Sequence, residues 1–456
     1  MSDFSKLKTT KNGKEYILNA CTQDTEQDIT GTKNFTKLTV NSKNVVTSIN
    51  GIEADENGNV NFEQGIQGIQ GILGVEVDFI NGTFVRLADA RDLQPGEDFN
   101  RYKMYNRKRC IMTDDGVVLA YYGEPGYTET GKLTEEITKD DVTYPVDTEV
   151  QVMVEQPKFY YKVVPLKTED VTQNSERCTK LRKASYYVSD SPRDGFKLHP
   201  AFIKNKVELD KVYMSAYEGS VENGKLWSRS GYVPKASQEL AVFRTQAKTR
   251  GERWEACLIQ FCWMNTLMFL IEYAEFDAQQ ALGFGQSSID KAVKTGLTSE
   301  LGNNTGKVYN SDTDVNCSVN YRGIENLYGN LWMMCDGLTM NNYMVYVADH
   351  DYVMDSSAEP NEREKGLQCC AADSSGPYIS AFCYVPKYDW CFIPLEVQGG
   401  ANKPVGDGFW IKTTGWRMCF HGGYSGWSSR SGLACLHLFG SSSYSGGDSG
   451  TRLCFR

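Results

Sequence analysis

With 456 residues the chain exceeds one ordinary hydrophobic core, so roughly two to four folding units are expected. Its formal charge of -10 argues against a nucleic-acid partner, because phosphate recognition requires Lys and Arg clustered on one face. Fourteen irregularly spaced cysteines, only four histidines and no CxxC leave no zinc motif of standard spacing, so reduced, buried thiols are expected and no metal or other cofactor.

The opening MSDFSKLKTTKNGKEYILNAC has no apolar core, since Lys14 and Glu15 interrupt it, and no signal peptide is expected. Through FTKLTVNSKNVVTSINGIEADENGNVNF apolar and polar residues alternate weakly. Asn50-Gly51 and Asn57-Gly58 there supply the positive φ values of tight hairpin turns. Strands this short bury no face alone, which favours pairing with other chains or with a virion socket across residues 1–63. Residues 64–74 carry Gly65, Gly68, Gly71 and Gly74. Glycine at every third position fits a collagen-like clamp between chains, although without proline and over so few triplets a plain flexible linker accounts for it nearly as well.

From residue 75 the texture changes to alternating apolar segments. FVRLADA, KRCIMTDDGVVLAYYG and VQVMVEQPKFYYKVVPL read as strands, with a hairpin turn at Asp114-Asp115-Gly116 and a charged surface excursion over 128–145. A β-rich middle domain over 75–149 follows. One long helical pattern runs from 249 to 282 and ends at Gly283, read either as one helix or as two broken near Asn265. Its apolar run over 256–271 is interrupted by Gln260, Asn265 and Thr266 and flanked by charges, so it suits a buried helix and not a bilayer span. The rest of 150–456 is rich in glycine and aromatic residues, and the order of elements predicts an α+β fold.

Several segments carry resemblances. Residues 46–60 resemble the hairpin modules of tailed-phage fibres, and PKFYYK and HPAF, at 157–162 and 199–202, look like recurring phage-fibre signatures. YRGIENLYGNLWMMCDGL, at 321–338, resembles the "GNVWEW" segment of the formylglycine-generating-enzyme-like branch of the C-type-lectin fold, with Gly329, Asn330, Leu331 and Trp332 in order. Residues 408–456 resemble the ending of the same superfamily, which includes retroelement-diversified phage and bacterial proteins. Gly422-Gly423 match its paired glycines, Gly432-Leu433 its "aGl" step and 452–456 its closing strand.

The resemblance implies a C-type-lectin-like domain over 150–456 on a phage fibre, made in the bacterial cytoplasm and carried on the virion surface. It implies a homotrimer attached to other virion proteins through its N-terminus and bound to a host-surface glycan or protein, with neither nucleic acid nor membrane insertion involved.

Within 421–456, Ser and Gly are interleaved with a few aromatics, the composition of an adaptable recognition surface. The candidate contact residues are Tyr424, Trp427, Ser428, His437, Phe439, Ser441 and Tyr444. Trp332, Trp410 and Trp416 are expected in the core, and strand alternation sends Leu433, Cys435 or its neighbour Leu436, and Leu438 inward with His437 and Phe439 outward, a set that a one-residue slip reverses.

No catalytic residue is expected. The oxidases of the resembled family place a reactive cysteine pair shortly after the paired glycines, where this chain has Trp427 and Gly432 or Leu433, and His421 and His437 lack the neighbours of a triad. A capsule-degrading spike would need two carboxylates across a cleft, for which Glu325, Asp336 and Asp355 are examples, and a purely structural head-fibre or baseplate role remains open.

Overall fold

Strand pairing over long sequence separations organises this chain. A computed structural model describes residues 71–311, 314–348 and 367–456, and the backbone of four short strands within the first seventy residues. Strand accounts for 39% and helix for 13%, a β-rich content consistent with an α+β or a mostly-β class. Two units separate, Met1–Gln70 and Gly71–Arg456.

In the first unit Leu7–Lys11 pairs antiparallel with Lys14–Leu18, and Ser48–Ile49 with Ile52–Glu53. Ile49 stands opposite Ile52, the register that the expected Asn50-Gly51 hairpin requires. The Asn57-Gly58 turn and the first two glycine triplets lie outside the described residues. Gly71 and Gly74, expected in the linker, belong to the second unit, where Ile72–Asp78 is a strand. Gly74 is required there by packing and not by a triple helix: a Cβ would stand 2.4 Å from Tyr187 Cδ1.

Three larger sheets build the second unit. The five-stranded one runs Lys197–Leu198, Tyr160–Gln173, Glu176–Ser189, Ile72–Asp78, Thr83–Ala88. A six-stranded sheet runs Trp254–Ala256, Leu453–Phe455, Lys211–Ser215, Gln151–Pro157, Lys108–Met112, Val118–Tyr121. The eight-stranded sheet centres on Trp332–Asn341, Arg417–His421, Leu436–Leu438 and Gly408–Ile411. Residues 75–149 and 150–456, read above as a middle and a terminal domain, thus share strands in two sheets and lie within one compact unit.

The helical expectation is corrected in its bounds. Ile259–Tyr273 is the helix, unbroken at Asn265, and Ala274 stops it in the left-handed conformation at φ 51°. Before it, Trp254–Ala256 is a strand because it pairs with Leu453–Phe455, a partner some two hundred residues away. A second helix, Leu240–Lys248, was not foreseen. Among the described residues no helix is long and apolar enough to cross a membrane.

The long helix is buried on every side, which explains its apolar run and leaves its polar residues needing partners. Asn265 accepts from Arg107 at 2.6 Å and donates to the Phe261 carbonyl at 2.8 Å, so the ladder is not broken there. The Thr266 hydroxyl donates to the Leu433 carbonyl. Glu272, fully buried, accepts two bonds from the Arg322 guanidinium at 2.7 Å each, one from the Tyr321 hydroxyl at 2.9 Å and one from the Gly96 amide at 2.9 Å.

Candidate functional site

Alternation along the strands gives the eight-stranded sheet two different faces. Met333, Cys335, Phe409, Ile411, Cys419, Leu436 and Leu438 pack into the large core that also contains the long helix. Trp332, Met334, Met418 and Phe420 face the other way, joined by Trp427 and flanked by the half-buried Trp410. The Gly-Asn turn that launches Trp332 is held by its own side chain: Asn330, at φ 62°, accepts from the Val293 amide at 2.8 Å and donates to buried Glu218.

The outward rows meet in one aromatic layer. The His437 ring stacks on Trp332 at 4.9 Å and on Phe439 at 5.6 Å, with interplanar angles of 20° and 24°. Trp410 stacks on Trp427 at 5.5 Å and 16°, and Tyr424 on Trp332 at 5.9 Å and 25°. Tyr444 meets Phe420 edge-on at 5.2 Å, its hydroxyl donating to Asp448 at 2.9 Å. Two cations decorate the rim, Arg430 over Trp427 and Lys412 over Phe439.

Burial sorts these rings into support and surface. Trp332, Phe420, Trp427 and His437 are buried, while Trp410, Tyr424, Phe439 and Tyr444 are half-buried. Two expectations are therefore corrected. Trp427, at 6% exposed, is a supporting ring, because the loop after the paired glycines folds it between Trp332 and Trp410. His437 does leave the large core as alternation required, but neighbouring strands cover that face with aromatics, so its exposure is only 8%. Trp410, expected in the core, is at the surface instead, as is the half-buried Trp416 against Tyr346.

Of the remaining candidates, Ser428 is exposed at φ 58°, its amide donating to the Ser287 carbonyl at 2.7 Å. Ser441 is half-buried beside Ser443, at the turn that carries Tyr444. Tyr424, Trp427, His437, Phe439 and Tyr444 are thus brought into one layer, with Ser428 on its bordering loop.

Trp410 also lines an open groove of about 530 Å³ with Tyr343, Asp373, Ser375, Lys412 and Thr413. Aromatic faces beside a carboxylate, an ammonium and hydroxyls can stack on a sugar ring and hydrogen-bond its hydroxyls. These groove residues were missed by sequence reasoning. The one available signal was Trp410 itself, since alternation with the apolar Phe409 and Ile411 puts it on the opposite face.

The layer has a pH signature. Burial lowers His437 from 6.5 to about 3, so the folded chain holds it neutral. Above pH 6.5 this costs nothing. As pH falls below 6.5 the unfolded chain takes up a proton that the folded one refuses, and stability declines by about 1.4 kcal/mol per pH unit until the folded value is reached. His437→Phe is therefore expected to gain about 2 kcal/mol relative to the parent between pH 7 and pH 5. Urea unfolding at the two pH values measures this, and a difference that does not change with pH would contradict a buried neutral imidazole.

Cys419 lies in the large core while Cys435 faces the other, so the two thiols nearest the paired glycines are separated by the sheet. Glu325 is buried and accepts three bonds from the 296–298 turn, and Asp336 is paired with Arg244. Asp355 lies outside the described residues. Compared with family models and with curated proteins, the sequence matches none.

Proposed function

We propose that this chain is a bacteriophage virion fibre protein, a homotrimer joined through its N-terminal region. Its C-terminal lectin-like region binds a host-surface glycan or protein. The observation that carries the binding half is the aromatic layer: four buried rings fix four half-buried ones next to a polar groove, so the surface rings are rigid and lose little entropy on binding. A glycan is favoured, because Trp410 and its groove offer a stacking face and hydrogen-bonding groups together. No catalytic role is part of the reading.

The fibre half rests on the phage-like sequence of 46–60, the glycine spacing that begins at Gly65 and the short strands of the first unit, which need partners from elsewhere. Trimeric display would multiply a weak single contact into tight adhesion. The lectin-type fold is supported by the Gly-Asn-Leu-Trp turn opening a central strand and by the last strand, Leu453–Phe455, inserting between Lys211–Ser215 and Trp254–Ala256.

Labelled full chain applied to a panel of bacterial strains tests the reading. Retention by a subset of strains, lost after periodate oxidation of their surface glycans, is expected. Uniform absence of retention, with the chain bound by virion components instead, would favour a head-fibre or baseplate part.

A further inference from the structure

Five cysteines, two of them five residues apart and the others distant in sequence, converge beneath the eight-stranded sheet. Cys257 precedes the long helix, Cys262 is in its first turn, Cys335 and Cys419 face each other across two strands, and Cys454 is on the closing strand. All five are fully buried. We propose that Cys257, Cys262 and Cys335 form a structural site for a soft, thiophilic metal ion, Zn2+ or Cu+.

The geometry is close to what such an ion imposes. Cys257 and Cys262 Sγ are 3.7 Å apart, Cys262 and Cys335 Sγ 3.4 Å, and all three sulfurs lie within 4.8 Å of one another. Zinc–sulfur bonds of about 2.3 Å in a tetrahedron place sulfurs about 3.8 Å apart, so the Cys257–Cys262 and Cys262–Cys335 pairs are within a few tenths of an ångström of that spacing and the third pair within about 1 Å. Cys419 neighbours Cys335 and Cys454 neighbours Cys257, so a fourth sulfur is at hand for an ion that demands four.

Charge must also be considered. Three thiolates around a divalent ion leave one negative charge, around a monovalent ion two, and a buried anion needs a cation nearby. Arg452 is 1% exposed, and its guanidinium donates to the backbone carbonyls of Ala216, Glu325 and Asn326. Its charge acts on Cys257 and Cys262 as well as on Glu218 and Glu325. Binding expels three thiol protons to solvent, and the three thiolates would staple the segment before the long helix, the helix itself and the eight-stranded sheet together. These cysteines are not those that the resembled oxidases place after the paired glycines.

Full-length chain, expressed with both metals supplied and purified under reductant without chelator, should carry about one equivalent of zinc or copper by elemental mass spectrometry. The element found identifies the ion. Cys262→Ser should fall below about a tenth of an equivalent, whereas Cys110→Ser, a buried thiol elsewhere, should retain the metal. Should the first variant not fold, refolding the parent with Co2+ still decides: a thiolate-to-cobalt charge-transfer band supports the site. A parent chain without zinc or copper and without that band would overturn the proposal, as would a disulfide among the three cysteines.

Discussion

Replacing Glu272 with Gln is expected to lower the unfolding free energy by about 3–5 kcal/mol, among the largest single-residue effects in the chain. The carboxylate is fully buried at the end of the long helix, and Arg322, 4% exposed, lies against it with two bonds of 2.7 Å. Neutralising one partner leaves the other charge uncompensated in a medium that solvates it poorly. The amide also loses acceptor capacity needed by Tyr321 and Gly96. Urea unfolding followed by circular dichroism measures the loss. Combining Glu272→Gln with Arg322→Met should cost clearly less than the sum of the two single changes, and additivity would mean that the pair is not coupled.

On the binding side, the double variant Trp410→Ala, Phe439→Ser is expected to weaken glycan binding roughly thirty- to hundredfold. Each stacked ring contributes about 1–1.5 kcal/mol, and about 1.4 kcal/mol is tenfold in affinity. Both rings are half-buried, so their removal exposes Trp427 and His437 without emptying the large core. Trp332→Ala would not serve this purpose, because Trp332 is 3% exposed and stacks on His437 and Tyr424. Its loss costs about 3–5 kcal/mol of stability and confounds binding with unfolding.

What was legible in the sequence is what local physics determines. The Asn50-Gly51 hairpin register follows from turn stereochemistry alone, and the strands over 84–166 follow from alternation. Alternation likewise put Leu436 and Leu438 on one face and His437 on the other. It could not reveal that the second face is covered, since Trp332 and Trp410 reach it from strands dozens of residues away. That is why Trp427 and Trp410 exchanged places: flanking Ser and Gly suggested an exposed Trp427, while the loop fold buried it. Trp254–Ala256 was read as helix because its pattern suits one, and pairing with Leu453–Phe455 overrode that preference. The cysteine cluster had no spacing to read, as its members come from separate elements.

Binding of the purified full chain to a glycan array, beside the Trp410→Ala, Phe439→Ser variant with a matched melting temperature, tests the central claim most directly. The parent should select a restricted set of bacterial surface glycans, and the variant should lose that signal while remaining folded. Equal binding by both proteins would contradict an aromatic layer that reads the host surface.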